Sequence, residues 1–380
     1  MTRSEIAAAA MELHRELNGK IEIAPKMHVK NRDDLSLVYT PGVAAVSSHL
    51  AIHKDETRDY TMTKNMVAVV SDGSAVLGLG NIGPEGALPV MEGKAVLFKE
   101  FAGIDAFPIV LATQDTEEII RVVKAIAPTF GGINLEDISA PRCFEIERRL
   151  RAELDIPVMH DDQHGTAVVV LAGLINAFKV TGRKLETSKV VIVGAGAAGN
   201  AITKLLLLAG LADVIVLDSK GIVSPDRTDL DPYKQELARA TNKDRVTGDL
   251  VAAIVGADAV VGVSGPGSIR PEHVKLMSQD PIVFALANPV PEISPEDAKA
   301  AGAAVVATGR SDLPNQTNNA LGFPGIFRGA LDHRVKTITE DMKLAAAKAL
   351  AGVIAEPTTD SILPTVFDPT VVPTIAAVIR

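Results

Sequence analysis

Val191-Ile192-Val193-Gly194-Ala195-Gly196-Ala197-Ala198-Gly199 carries the key to the architecture of this chain. Three β-branched residues run into a glycine turn, and a helical stretch, 200–208, leaves it. Each glycine then has a separate task. Gly194 permits the tight turn, Gly196 lets the backbone approach a pyrophosphate, and Gly199 allows close helix packing. The helix N-terminus, with Ala197 and Ala198 in its first turn, offers amide donors to phosphates. The glycine pattern alone is equally compatible with a tight structural turn. However, the next apolar run, 213–217, ends at Asp218, near the ~20-residue separation at which a carboxylate meets the ribose hydroxyls of NAD. A dinucleotide-binding unit is therefore expected, with NAD as cofactor and NADP as the alternative. Asp218 would repel a 2'-phosphate whereas Ser219 and Lys220 could accept one, and we weight the carboxylate because it sits at the strand end.

Working outward, strand-like runs recur at 259–263, 282–285 and 304–307 with helical segments between them, as in a doubly wound nucleotide-binding domain. The first half repeats the pattern at 66–70, 106–111, 132–135 and 156–160, each run followed by a turn and a helical segment, which implies a largely parallel sheet. A polar connection, 180–188, separates the halves. The expected fold is α/β in two domains: an N-terminal α/β substrate and metal domain over residues 1–180 and a Rossmann-type dinucleotide domain over 181–330. A helical tail, 331–380, could fold back on either. The 380-residue length, the 47% apolar share, 30 Gly and 22 Pro agree with this and exclude a mainly disordered chain.

The net charge of −9 comes from 47 acidic and 38 basic residues spread along the chain, without the basic stripe that a nucleic-acid binder needs. Cys143, the sole cysteine, rules out an intramolecular disulfide and a thiolate zinc cluster, and is expected to be a buried small hydrophobe. Residues 1–17 are amphipathic and lack the apolar block of a signal peptide. The apolar stretches 167–178 and 205–209 are far shorter than the roughly 20 residues that span a bilayer. These features predict a cytoplasmic protein without membrane or nucleic-acid partners.

Two runs in the first half end in acidic pairs, Glu136-Asp137 and Asp161-Asp162. In one parallel sheet the four carboxylates converge at its ligand-binding edge, where their repulsion is costly without a cation. Oxygen-only ligation selects Mg2+ or Mn2+. One pair alone would read as a helix cap, through Asp137 or Asp162, but two in matching positions favour a metal. His160 and His164 could suggest zinc, yet no third nitrogen or thiolate stands nearby, so they are expected to support the site or the core. Lys94 lies among Met91, Ala95, Val96 and Leu97 after a second glycine-rich turn, 71–84. By itself it would be a helix lysine extending to water. Beside a metal and desolvated it would have a lowered pKa and could act as a base. Tyr39, one of only three tyrosines, precedes Thr40-Pro41-Gly42. Alone it would be a hydrogen-bonded packing residue.

As an ordered set, these segments resemble the malic enzyme family from about Leu35 to Arg328. The set is Tyr39-Thr40-Pro41-Gly42, Gly78-Leu79-Gly80-Asn81-Ile82-Gly83, Gly93-Lys94, Glu136-Asp137, 160–166, 194–199, Ala287-Asn288-Pro289 and Asn318-Asn319. The resemblance is to the short bacterial branch. It implies oxidative decarboxylation of malate to pyruvate with NAD(P), and Tyr39 as general acid with Lys94 as general base. It further implies Glu136, Asp137 and Asp162 as metal ligands with Asp161 beside them in the catalytic set, and Asn288 and Asn319 as substrate or nicotinamide contacts. It also implies a homodimer in which an N-terminal segment completes the neighbour's site. One departure stands out. Where larger members have an arginine for the substrate carboxylate, this chain has Ser74-Ala75. Three further readings remain open: a malolactic reaction yielding lactate, a metal-independent amino-acid dehydrogenase, and a catalytically silent NAD-binding sensor.

Overall fold

The computed structural model describes residues 3–380; the first two residues of the amphipathic N-terminal stretch lie outside them. Ten strands among the described residues form two sheets. The first holds β1 (Met66–Ser71), β2 (Asp105–Val110), β3 (Gly132–Leu135) and β4 (Val158–His160), all parallel, in the order β2-β1-β3-β4. The second holds β5 (Lys189–Val193), β6 (Asp213–Asp218), β7 (Gly221–Ile222), β8 (Ala259–Gly262), β9 (Ile282–Ala285) and β10 (Val305–Thr308), in the order β10-β9-β8-β5-β6-β7. Only β7 is antiparallel, and its two residues are too few to leave a periodic signal in the sequence.

The central strands are continuous Val, Ile and Ala runs because helices cover both faces, so no alternation survives. In each sheet the strand order reverses beside the first strand: β2 and β3 flank β1, and β6 and β8 flank β5. Such reversals open a crevice at the carboxyl ends of the strands. Both sites described below lie there.

The apolar stretch 167–178 is the core of a single helix, Asp161–Val180, apolar on nearly all sides because it packs between the two halves. One hydrophobic cluster runs from Val67 and Met91 through this helix to Val190 and Phe284, so the halves share a core. The chain beyond 322 joins it. Helix Phe323–Asp332 lies on helix Gly83–Ala102, with the Phe98 ring edge-on to Phe323 at 4.7 Å and to Phe327 at 5.4 Å. Helix Glu340–Gly352 crosses both Asp161–Val180 and Ala197–Leu208.

The first sixty residues are different. Their helices, Arg3–Leu17, Arg32–Val38 and Val43–Ile52, bury none of their described side chains, yet carry Met11, Leu17, Leu37, Tyr39 and Ile52 exposed. Few bonds tie this arm to the body, among them Lys20 Nζ to the Pro89 carbonyl at 2.6 Å and Arg58 to the Leu331 carbonyl at 2.7 Å. Taken as one span, Arg32–Ile52 is long and apolar enough to cross a bilayer by length and composition, a stretch the apolar-run count passed over. The chain breaks it into two helices around Pro41.

Candidate active site

The register places Val70 beside Leu135 and Leu135 beside His160, so the residues following these strands emerge side by side at one sheet edge. Ligand oxygens of Glu136, Asp137 and Asp162 lie within 4.8 Å of one another. Lys94, carried there by helix Gly83–Ala102, sets Nζ 2.9 Å from Glu136 Oε1 and 2.7 Å from Asp161 Oδ2. Asn134 Nδ2 donates to Glu136 Oε2 at 2.9 Å, and the Asp137 amide donates to Asp162 Oδ2 at 2.8 Å. Gly165 makes room for Asp161: a Cβ there would stand 1.8 Å from Asp161 Oδ1 and 3.3 Å from the Asn319 Cβ. The same close approach brings Asn319 against the cluster.

The electrostatics follow from burial. Desolvation raises the carboxyl pKa of Glu136 and of Asp161 to about 7 and that of Asp162 to about 6, with Lys94 opposing each shift. The expected lowering of the Lys94 pKa is reversed. Burial does push it down, but Asp161 and Glu136 outweigh burial and hold the ammonium charged. The Lys94 ammonium pairs with two of the four clustered carboxylates, Glu136 and Asp161, with Asp137 and Asp162 beside them, and Asp161 Oδ1 is buried without a hydrogen-bond partner. An all-oxygen, charge-deficient set of this kind fits a hard divalent cation.

His160 and His164 stand outside the metal-ligand group. His160 is fully buried, and desolvation lowers its pKa to about 4. His164 bridges two charged groups: Lys343 Nζ lies 2.9 Å from Nδ1, and Nε2 lies 2.9 Å from Glu147 Oε2. An ammonium can only donate, so Nδ1 accepts, Nε2 carries the proton, and the ring is a neutral spacer. Cys143 is buried beneath β3, and burial raises its thiol pKa.

The second glycine turn braces the site. A Cβ on Gly73 would meet the Gly83 carbonyl oxygen at 2.1 Å, and one on Gly78 would meet the Asn288 oxygen at 2.0 Å, so this loop presses on the segment following β9. At the departure noted above, Ser74 Oγ donates to Asp72 and accepts from the Ser139 amide, while the Ala75 amide donates to the Asp137 carbonyl at 2.9 Å. The guanidinium nearest that turn belongs to Arg142, paired with buried Asp72 at 2.9 Å.

The glycine turn after β5 borders a cavity of about 420 Å³, lined by Gly194, Gly196, Asp218, Ser219, Lys234 and Ser264 among others. Its fit to a dinucleotide shows in the backbone. A Cβ on Gly199 would stand 1.7 Å from the Gly194 oxygen and one on Gly194 would meet the Val263 oxygen at 2.5 Å, whereas Gly196 has open space. The outer two glycines, Gly194 and Gly199, hold strand, turn and helix together and the middle one, Gly196, leaves room for a phosphate.

Tyr39 is not brought into the cluster by this chain. It caps helix Arg32–Val38 on the exposed arm, 65% accessible, and among the described residues no hydrogen bond or ion pair links its side chain to Lys94 or the carboxylates. Other residues at the sites gave no sequence signal. Phe323 places its ring 4.4 Å from Lys94 Nζ, and Arg227 and Lys234 bind Asp218 from nine and sixteen residues away. Only folding reveals such partners, because residues on different elements at those separations follow no fixed period.

Comparison with known proteins agrees with this geometry. Residues 18–151 match the family model for the malic enzyme N-terminal domain, and residues 163–378 match the model for the malic enzyme NAD binding domain. The chain is 62% identical over 360 residues to an NAD-dependent malic enzyme of Geobacillus stearothermophilus, covering 94% of this chain and 75% of that one. It is 55% identical over 370 residues to a bifunctional malic/malolactic enzyme of Bacillus subtilis, covering 97% and 90%. A crystal structure of the NAD-dependent malic enzyme of Thermotoga maritima superposes with a TM-score of 0.95 at 54% identity, covering 97% of this chain and 98% of that one.

Proposed function

The chain belongs to the malic enzyme family, and from that premise we propose that it oxidises malate with NAD or NADP and decarboxylates the product to pyruvate. The observation that carries this reading is the set of strand-end carboxylates bridged by Lys94, in the same chain as the glycine cradle. Glu136, Asp137 and Asp162 would hold a Mn2+ or Mg2+ ion, which would supply polarisation of the C2 oxygen of malate, and the turn at Gly194, Gly196 and Gly199 would seat the pyrophosphate of a dinucleotide whose nicotinamide would supply the hydride acceptor.

Lys94 takes the proton of the C2 hydroxyl. Two carboxylates keep it protonated in the structure, and committing the Glu136 charge elsewhere removes one of them, which lowers the Lys94 pKa toward that of a working base. Asp161 keeps Nζ in place through its 2.7 Å bond. Loss of CO2 from the carboxylate on C3 leaves an enolate that needs a proton at C3, and a phenol, still protonated at neutral pH, suits that step. We assign it to Tyr39. Asn288 and Asn319 supply amide groups to substrate or nicotinamide. Residues 1–180 thus provide catalysis and metal binding, 181–330 provide the cofactor site, and 331–380 buttress both.

Tyr39 lies on an arm whose apolar side chains face outward, and an apolar surface of that extent marks an interface. We assign the arm to a homodimer in which each Tyr39 serves the partner's Lys94. The malolactic alternative is kept because the Bacillus subtilis relative is named bifunctional. One assay tests the whole reading: malate with NAD or NADP, after chelation and after adding back Mn2+, scoring reduced cofactor, pyruvate and lactate. Metal-dependent pyruvate and reduced cofactor are expected. Lactate without release of reduced cofactor would replace this reading with the malolactic one, and turnover in chelator would remove the metal assignment.

A further inference from the structure

The C-terminal segment places a buried ammonium behind the metal edge. Lys343, on helix Glu340–Gly352, is 1% accessible, an unfavourable position for a charge that an apolar side chain of the same length would fill without burying one. Its Nζ donates to Glu340 Oε1 at 2.7 Å and to His164 Nδ1 at 2.9 Å. The Glu340 side chain is half exposed and has water as an alternative partner, so His164 is the contact that calls for the buried position.

From His164 the bonds run toward the metal edge. Nε2 donates to Glu147 Oε2 at 2.9 Å, and Glu147, buried on helix Arg142–Glu153, also accepts from the His160 amide at 3.0 Å and from Gln163 Nε2 at 3.4 Å. One carboxylate therefore grips residues 160, 163 and 164, and the two residues between them are Asp161 and Asp162. No side-chain cap closes the start of helix Asp161–Val180, so this grip restrains a first turn that would otherwise fray. The grip depends on one proton. A neutral imidazole has one donor and one acceptor, and with the proton on Nδ1 the Nε2 lone pair would face the Glu147 oxygen and repel it. The ammonium at Nδ1 opposes that tautomer, because two donors would then meet.

We propose that Lys343 is a positioning residue for the metal edge: by holding the His164 proton on Nε2 it keeps Glu147 locked onto the first turn of helix Asp161–Val180, and so sets where Asp161 and Asp162 stand. Lys343 itself touches neither ion nor substrate. The C-terminal segment, remote in sequence from the carboxylates, then tunes the affinity of the edge for its cation. The proposal rests on reading Glu136, Asp137 and Asp162 as metal ligands.

Two measurements on the full-length protein test it without turnover. Nitrogen-15 spectra of the imidazoles, with His164 assigned by its loss in His164→Gln, read the tautomer, and calorimetry with Mn2+ alone reads the edge. The wild type is expected to carry the His164 proton on Nε2. Lys343→Met should admit the Nδ1-protonated form and weaken Mn2+ binding by at least about tenfold, the scale on which groups that orient metal ligands act, while NAD affinity stays unchanged. Lys343→Arg keeps a donor, and the adjoining cavity of about 460 Å³ gives it room, so both the tautomer and the Mn2+ affinity should be retained. A proton on Nδ1 in the wild type would overturn the proposal with no variant needed. Wild-type Mn2+ affinity in Lys343→Met would overturn it too, as would a parallel loss of Mn2+ and NAD affinity, which marks a lysine that only holds the fold. A wild type that shows the Nε2 proton but binds no Mn2+ would instead remove the metal edge, and this inference with it.

Discussion

The two sheets of this enzyme end in opposite electrostatic states. At the ends of β3 and β4, Lys94 pairs with Glu136 and Asp161 beside Asp137 and Asp162, and burial raises the pKa of Glu136 and of Asp161 to about 7. At the end of β6, burial would likewise raise the Asp218 pKa, but hydrogen bonds from Arg227 and Lys234 outweigh it and bring it to about 2. One edge lacks positive charge and suits a cation; the other has its carboxylate already neutralised and suits an anionic ligand. Acidic strand ends that look alike in sequence are therefore assigned opposite partners by the number of cations folded against them.

The comparison breaks most visibly if Lys94 is dispensable. Lys94→Ala should lower malate oxidation by about 10² to 10⁴-fold, the usual contribution of a general base. Mixed and re-equilibrated with Tyr39→Phe, it should regain about a quarter of wild-type activity, because half of the dimers pair the two variants and each such dimer holds one intact site. No regain despite proven subunit exchange would place Tyr39 and Lys94 of one chain in one site.

A smaller effect sharpens the cation-deficient side. In a thermal melt, Mn2+ at about a hundred times its Kd should stabilise the wild type by about 2.7 kcal/mol. Glu136→Gln should lose most of that shift. An equal shift in both proteins would mean that the ion binds elsewhere.

Glu147 is a control, a buried carboxylate near the metal edge that has its own partners. Burial would raise its pKa, but His164 and Lys343 bring it to about 2. A carboxylate whose pKa falls on folding stabilises the native state above its unfolded pKa, and that contribution disappears as pH falls from about 4.5 to about 2. Glu147→Gln should therefore cost roughly 3 kcal/mol at pH 7 and progressively less as pH falls, the two melting curves converging only near the folded-state pKa of about 2. A gap that stays constant with pH would assign the loss to packing. The smallest expected effect is that of Phe323→Leu, which removes the ring face from Lys94. A contact worth about 1 kcal/mol predicts a fall of a few-fold in kcat, and an unchanged pH–rate profile and kcat would show that the ring only fills space.

Some of this organisation is legible residue by residue. Gly194, Gly196 and Gly199 announce a cradle because the tight turn and close helix packing are local requirements. Parallel strands buried on both faces announce themselves as unbroken β-branched runs, and the strand ends at Leu135, Val193 and Ala285 match the readings from sequence alone. The two acidic pairs were visible for the same reason: strand direction fixes the sheet edge at which they emerge. β7 escaped because two residues have no period, and the two-helix span Arg32–Ile52 escaped because polar residues interrupt its apolar run.

The sequence by itself determined the α/β class, the glycine cradle and the convergence of carboxylates, since each follows from backbone geometry over a few consecutive residues. Only the tertiary structure decided which charges meet. Lys94 reaches Asp161 across 67 residues of sequence, Lys343 reaches His164 across 179, and Lys234 and Arg227 close on Asp218 from outside its strand. A pKa, a metal preference or a choice between cofactors is a sum over all charges within a few ångströms, and in a folded chain those neighbours come from segments whose spacing in sequence carries no information about their distance in space.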